Sequence, residues 1–234
     1  MRQYSIDARN IKNPIYPCPI QMGGKNANGQ MLSIGNYYLS LDGKPFFGVC
    51  GEAHFSRMNR ELWEDEIIKM KAGGLNIIAT YIFWIHHEEI EGTFDFSGNK
   101  DLRIFLELCK KNHMYVILRI GPFSHGECRN GGFPDWIYGQ PFDIRCDDPS
   151  YLYYTRRFYE QIYQQAKGLL FKDNGPVIGV QLENEHEHAS CPWEMTTENS
   201  KEWVVSGHDG KNHMNTLKKI AKEVGFDVPL YTAT

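Results

Sequence analysis

Glu183-Asn184-Glu185 closes the run Val177-Ile178-Gly179-Val180-Gln181-Leu182. Carboxyl groups this close together can handle protons at a reacting centre. The run ahead of them is short, β-branched and almost free of charge, the pattern of a parallel strand covered on both faces. An ionised acid inside such a strand would need partners. The acids are therefore expected where the strand opens to solvent, at its C-terminal end, where barrels and open parallel sheets bind ligands. His186 and His188 follow. Two residues apart on an extended segment, they would face one side together, as metal ligands can. With Glu183, Glu185 and Glu187 they leave a metal hydrolase as an alternative, though no third ligand is spaced convincingly. His54 and the pair His86-His87 are expected to form hydrogen bonds at the mouth of the fold, with His54 placed to line a pocket.

The rest of the chain must hold that strand end in place. Residues 1 to about 30 carry Pro14, Pro17, Pro19 and a loose Gly- and Asn-containing stretch, and read as a lead-in with little regular structure. Short alternating runs then meet at Asp42-Gly43, a hairpin signal. The second arm, Pro45 to Cys50, reads as the first strand of the main sheet. Asn59 is a helix cap, Trp63, Ile67 and Met70 recur at helical spacing, and Gly73-Gly74 stops that helix. Leu75 to Trp84 and Met114 to Ile120 read as further strands, with a helix from Asn99 or Asp101 between them. Asp148-Pro149 caps the next helix. A polar insertion, His186 to His208, precedes a helix bearing Leu217, Ile220 and Val224, and Val228 to Thr232 is a fifth strand.

Strands alternating with helices argue for parallel βα units. A closed (β/α)₈ barrel takes ~250 residues, and the 234 residues here provide about five of the eight units after the lead-in. The expected layout is a lead-in and β-hairpin over 1–44 and an incomplete α/β TIM barrel over 45–234. Hydrophobic residues make up 41% and charged residues 23%, ordinary values for a globular protein. A net charge of −4 gives no basic face for nucleic acid. No stretch reaches the roughly 18 apolar residues of a membrane span. Met1 to Asn10 lacks the apolar core of a signal peptide, which leaves the compartment open, export included. The six cysteines are scattered without a C-x-x-C pair, arguing against structural zinc and for mostly reduced, buried thiols.

Five runs, in order and in spacing, resemble the glycoside hydrolase family 35 β-galactosidases. They are Lys69-Met70-Lys71-Ala72-Gly73-Gly74-Leu75-Asn76, Thr80-Tyr81-Ile82-Phe83-Trp84, Ile117-Leu118-Arg119-Ile120-Gly121-Pro122-Phe123, Gly131-Gly132-Phe133-Pro134-Asp135-Trp136 and Gln181-Leu182-Glu183-Asn184-Glu185. The resemblance covers the chain from about Asp42 onward and implies a retaining, exo-acting β-galactosidase, with a galactoside or oligosaccharide as substrate and no metal or other cofactor. Retaining hydrolysis needs two carboxyl groups about 5–5.5 Å apart, one shuttling the proton and one attacking the anomeric carbon. The resemblance places the acid/base on Glu185 and a contact to the sugar 2-hydroxyl on Asn184. Tyr81, the Gly126 backbone N–H and Glu127 fall where the family binds the sugar. Glu183, out of step along the strand, is a supporting partner unless the register slips by one.

The family's nucleophile lies at the end of a seventh strand, to which no residue here corresponds. The 234 residues alone are accordingly expected to be inert, with open sheet edges prone to aggregation. Further barrel strands, and β-domains of the kind relatives carry, would come from elsewhere. Two departures stand out: Phe83-Trp84-Ile85 replaces the usual Pro-Trp-Asn, and His125-Gly126-Glu127-Cys128-Arg129 replaces Cys-Ala-Glu-Trp-Glu. Both bear on the leaving-group side and the exact sugar. A non-catalytic carbohydrate-binding barrel, or a sister β-glycosidase of other specificity, is the alternative.

Overall fold

The computed structural model describes residues 4–5, 14–17, 23–186 and 210–233. Two sheets organise them. The first is antiparallel: β1 (Gly23–Lys25), β2 (Met31–Ile34), β3 (Leu39–Leu41) and β4 (Lys44–Phe46) pair in sequence order. The expected Asp42-Gly43 turn joins β3 to β4, with both residues at positive φ (53° and 74°), as a two-residue hairpin requires. β1 lies inside the segment expected to be irregular. Its turn closes because the Asn26 amide bonds both the backbone N–H and the side chain of Gln30, at 2.8 and 3.0 Å.

The second sheet is parallel and holds β5 (Cys50–Glu52), β6 (Ile77–Tyr81), β7 (Tyr115–Gly121), β8 (Val177–Leu182) and β9 (Leu230–Tyr231), again in sequence order. Strand order that never reverses puts every crossover on one face, so the sheet curls as a partial (β/α)₈ barrel. The crossovers carry α1 (Trp63–Ala72), a single turn α2 (Trp84–His87), α3 (Leu102–Lys111), α4 (Pro149–Ala166) and α5 (Gly210–Val224). Local chemistry starts α3 and α4, and leads into α1, where the sequence indicated, whereas α2 begins at Trp84, a residue expected to end a strand. Asn59 caps a short 3₁₀ turn leading into α1, Asp101 accepts from the Ile104 N–H at 3.0 Å, and Asp148 accepts from Ser150 and Tyr151.

The first parallel strand is not Pro45 to Cys50. Pro45 pairs with Ser40 in the hairpin, and the parallel strand begins at Cys50. Between the sheets the Asn76 side chain takes the Val49 N–H (2.8 Å) and the Phe47 carbonyl (2.9 Å), groups a ladder would otherwise satisfy. One run of apolar residues thus serves two sheets.

The pleat sorts side chains into two cores. Ile78, Val116, Leu118, Ile120 and Val180 meet the helices, among them Phe105, Phe158 and Leu217. Trp84 stacks nearly parallel on Phe158 at 4.7 Å. Each fully buried side chain of this size contributes roughly 1.5–3 kcal/mol. On the opposite, concave face, Ile77, Tyr115, Ile117 and Ile178 pack against Leu32, Leu41 and Phe46 of the antiparallel sheet and against Phe171. That sheet therefore floors the barrel at the N-terminal ends of its strands. Among the described cysteines all four are free; Cys109 and Cys146 are buried, but Cys50, on the edge strand, is exposed. Cys18 and Cys191, and the insertion beyond His186 through residue 209, lie outside the described residues.

Candidate active site

The C-terminal ends of four neighbouring strands converge. β5 supplies Glu52, with His54 just beyond it; β6 supplies Tyr81, β7 supplies Arg119, and the residues after β8 are Asn184 and Glu185. With His125, Gly126 and Glu127 from the loop after β7, they line one cleft of about 360 Å³. All five residues singled out for the sugar, Tyr81, Gly126, Glu127, Asn184 and Glu185, are in it. Glu183 is not.

The Asn184 side chain is the hub. Its Oδ1 accepts from the Tyr81 hydroxyl at 2.9 Å, from Arg119 Nη2 at 2.9 Å and from Gln181 Nε2 at 3.2 Å. Three donors fix which end of the amide is oxygen. The Nδ2 group is left as the unspent donor, with no hydrogen bond among the described residues. The Tyr81 phenol was expected to reach a sugar hydroxyl; here its proton is directed at Asn184, so it orients the amide. Burial holds its pKa far above the ordinary phenol value, so it stays a donor. The Arg119 guanidinium lies over the Tyr81 ring, 3.7 Å from its centroid, and pairs with Glu52. His54 Nδ1 accepts the Tyr81 backbone N–H at 3.3 Å, and burial lowers its pKa against the opposing pull of Glu52, so the ring is neutral at physiological pH.

The loop after β7 is shaped by a close approach. Ser124 and His125 both donate their backbone N–H to the Gly131 carbonyl, at 2.8 and 3.0 Å. His125, Gly126 and Glu127 then run through left-handed backbone at φ 55°, 52° and 46°. At Gly126 a Cβ would come 2.8 Å from the Phe83 ring and 3.2 Å from Tyr81, so only glycine fits. Arg57 holds the loop by its carbonyls, donating to Gly126 O at 2.7 Å and Glu127 O at 3.2 Å. The Gly126 N–H forms no hydrogen bond among the described residues, and the Glu127 side chain is exposed to the cleft.

Glu183 and Glu185 are sorted by backbone rather than by simple alternation. Both have positive φ, 55° and 44°, a conformation that costs a non-glycine residue on the order of 1–3 kcal/mol. Glu183 turns into the interior and is gripped by the fully buried Arg145 through Nε–Oε1 (3.1 Å) and Nη2–Oε2 (2.9 Å). Glu185 faces the cleft, its N–H bonded to the Ala233 carbonyl at 3.0 Å. His186 is buried against the Arg145 carbonyl, and burial lowers its pKa to about 4. Two members of the metal-ligand alternative, Glu183 and His186, are thus turned inward. Among the described residues no group of three His, Cys, Asp or Glu could hold a metal ion; Glu187 and His188 lie outside them. His86 bonds Ser56, and His87 is buried against the Asp95 carbonyl.

Sequence reasoning assigned no role to Glu52, Arg119 or Arg145. A charge in the apolar run Ile117-Leu118-Arg119-Ile120 was the one usable signal, because a buried guanidinium demands partners. Glu52 and Arg145 carried none.

The family profile described as Glycosyl hydrolases family 35 matches residues 38–228. The β-galactosidase of Homo sapiens is 38% identical over 167 residues, covering 70% of this chain and 25% of that one. The β-galactosidase of Xanthomonas manihotis is 36% identical over 169 residues, covering 72% and 28%. "Beta-galactosidase-1-like protein 3" of Mus musculus is 33% identical over 202 residues, covering 86% and 28%. The chain thus spans about a quarter of the length of the curated relatives it matches. Among solved structures, GH5_18 from Streptomyces cattleya aligns with a TM-score of 0.60 at 9% identity, covering 80% of this chain and 44% of its own. The exo-beta-1,4-mannosidase Op5Man5 from Opitutaceae bacterium strain TAV5 aligns at 0.58 with 14% identity, covering 88% and 32%. These two are likenesses of fold.

Proposed function

The chain belongs to glycosyl hydrolases family 35, and from that premise we propose that it is the part of a retaining, exo-acting β-galactosidase that carries the proton-shuttling glutamate, Glu185. In this reading Glu185 protonates the departing oxygen and later takes a proton from water. The attacking carboxylate comes from beyond these 234 residues and stands about 5–5.5 Å from Glu185, the separation that retention of configuration requires. Asn184 offers its unspent Nδ2 to the sugar 2-hydroxyl, a contact that strengthens as positive charge develops on the ring. Glu127 and the Gly126 N–H hold hydroxyls on the far side of the sugar. The protein's substrate would be a terminal β-linked galactose on an oligosaccharide or glycan.

One observation carries this: a carboxylate, an amide with its oxygen already committed, and an exposed second carboxylate meet in one cleft at the C-terminal ends of parallel strands. The experiment is hydrolysis of a nitrophenyl β-galactoside by the full-length protein and by its Glu185→Gln variant. The variant should lose activity by ~10²–10⁴-fold, the range for a displaced general acid/base. Undiminished turnover would remove Glu185 from the mechanism.

A further inference from the structure

Glu183 and Arg145 are both sealed from solvent, and the reaction scheme uses neither. Their geometry is more specific than a structural ion pair needs. Glu183 Oε2 accepts the Asn184 backbone N–H at 2.9 Å, while Arg145 Nη2 donates to the Asn184 carbonyl at 3.3 Å. One ion pair thus holds both polar groups of the residue that separates Glu183 from Glu185. Gln181 Nε2 ties the Glu183 carbonyl as well, at 2.9 Å. The guanidinium is itself held over the Phe123 ring, its Cζ 3.8 Å from the centroid.

This clamp sits where the backbone needs one. Left-handed φ at Glu183 and Glu185 persists only if the surroundings over-determine it. Left-handed backbone at Glu183 brings Asn184 and Glu185 together into the cleft, where plain strand alternation would separate them. We propose that Arg145 is a positioning residue for Glu185: through Glu183 and the Asn184 peptide it sets the direction in which that carboxyl group points. The proposal rests on the reading of Glu185 as the acid/base. Lysine cannot replace the arginine, because a point charge offers neither the two-pronged fork nor a flat face for Phe123.

A positioning role and a merely structural one differ in a measurable way. A dinitrophenolate leaves without help, whereas phenol, an alcohol or a sugar needs its proton delivered in the transition state. The test is kcat/KM of the full-length protein and of Arg145→Lys for dinitrophenyl, nitrophenyl and phenyl β-galactosides and for lactose. Misplacing Glu185 should cost about threefold in kcat/KM with dinitrophenyl and on the order of 100-fold with phenyl or lactose. Should Arg145→Lys not fold, Glu183→Gln, which keeps the side-chain shape, carries the same expectation. An equal loss across the series in a folded variant, or no loss, overturns the positioning role alone. A wild-type protein inert on every member overturns the galactosidase reading and this proposal with it.

Discussion

Replacing Asn184 by alanine should destabilise the protein for a reason that a second substitution can partly reverse. The deleted oxygen serves three donors. Gln181 keeps the Glu183 carbonyl and Arg119 keeps Glu52, but the buried Tyr81 hydroxyl is left without a partner. A stranded buried donor costs ~1–3 kcal/mol, and the two weakened donors add about 0.5–1.5 kcal/mol each. Water entering from the adjoining cleft offsets some of this, so the expected loss is ~2–4 kcal/mol. Tyr81→Phe in the wild-type background leaves Asn184 Oδ1 with two donors and should cost about 1 kcal/mol or less. In the Asn184→Ala background the same change deletes the stranded hydroxyl and should be neutral or stabilising. Urea unfolding of the four proteins, followed by tryptophan fluorescence, measures this as shifts of midpoint at constant slope. The sign reversal of Tyr81→Phe is the diagnostic coupling. If Tyr81→Phe costs the same in both backgrounds, the shared-acceptor account is wrong.

Two further outcomes follow from Gly126 and His87. Gly126→Ala adds a Cβ 2.8 Å from Phe83 in left-handed backbone; ~2 kcal/mol of destabilisation, a fall of about 4–8 °C in thermal midpoint, is expected, and an unchanged midpoint would contradict the close approach. His87 is fully buried and its pKa is lowered to about 4 by desolvation, against ~6.5 when unfolded. Below pH ~6.5 the unfolded chain takes up a proton that the folded one refuses. Stability is therefore intact above pH ~6.5 and declines towards pH ~4, by up to about 3 kcal/mol from this group. Replacing His87 by phenylalanine should flatten that acid limb in pH-dependent urea titrations, and an unaltered limb would refute the assignment.

Much of the scaffold was legible because its signals are local. The strand Val177–Leu182 announced itself by unbroken apolarity, and Asp148 and Asp101 by their place ahead of apolar periodicity. The first parallel strand was misplaced because Pro45 and Phe46 look as strand-like as Cys50, and only the Asn76 side chain, some 30 residues on, marks the boundary between sheets. In the site, the residues carried by motif all fell into one cleft. What stayed hidden was the network among them. Arg145 meets Glu183 across 38 residues and Arg119 meets Asn184 across 65; such pairings depend on how the barrel closes, which no local pattern encodes. The left-handed turns at Glu183 and Glu185 were equally invisible, since glutamate is not a residue that advertises positive φ.

The antiparallel sheet beneath the parallel one has a consequence for traffic. Leu32, Leu41 and Phe46 stopper the concave face from below, while the cleft lined by His54, His125, Glu127 and Asn184 lies at the opposite ends of the same strands. Among the described residues, whatever reaches Asn184 approaches from the C-terminal ends of the strands and not through that packed floor.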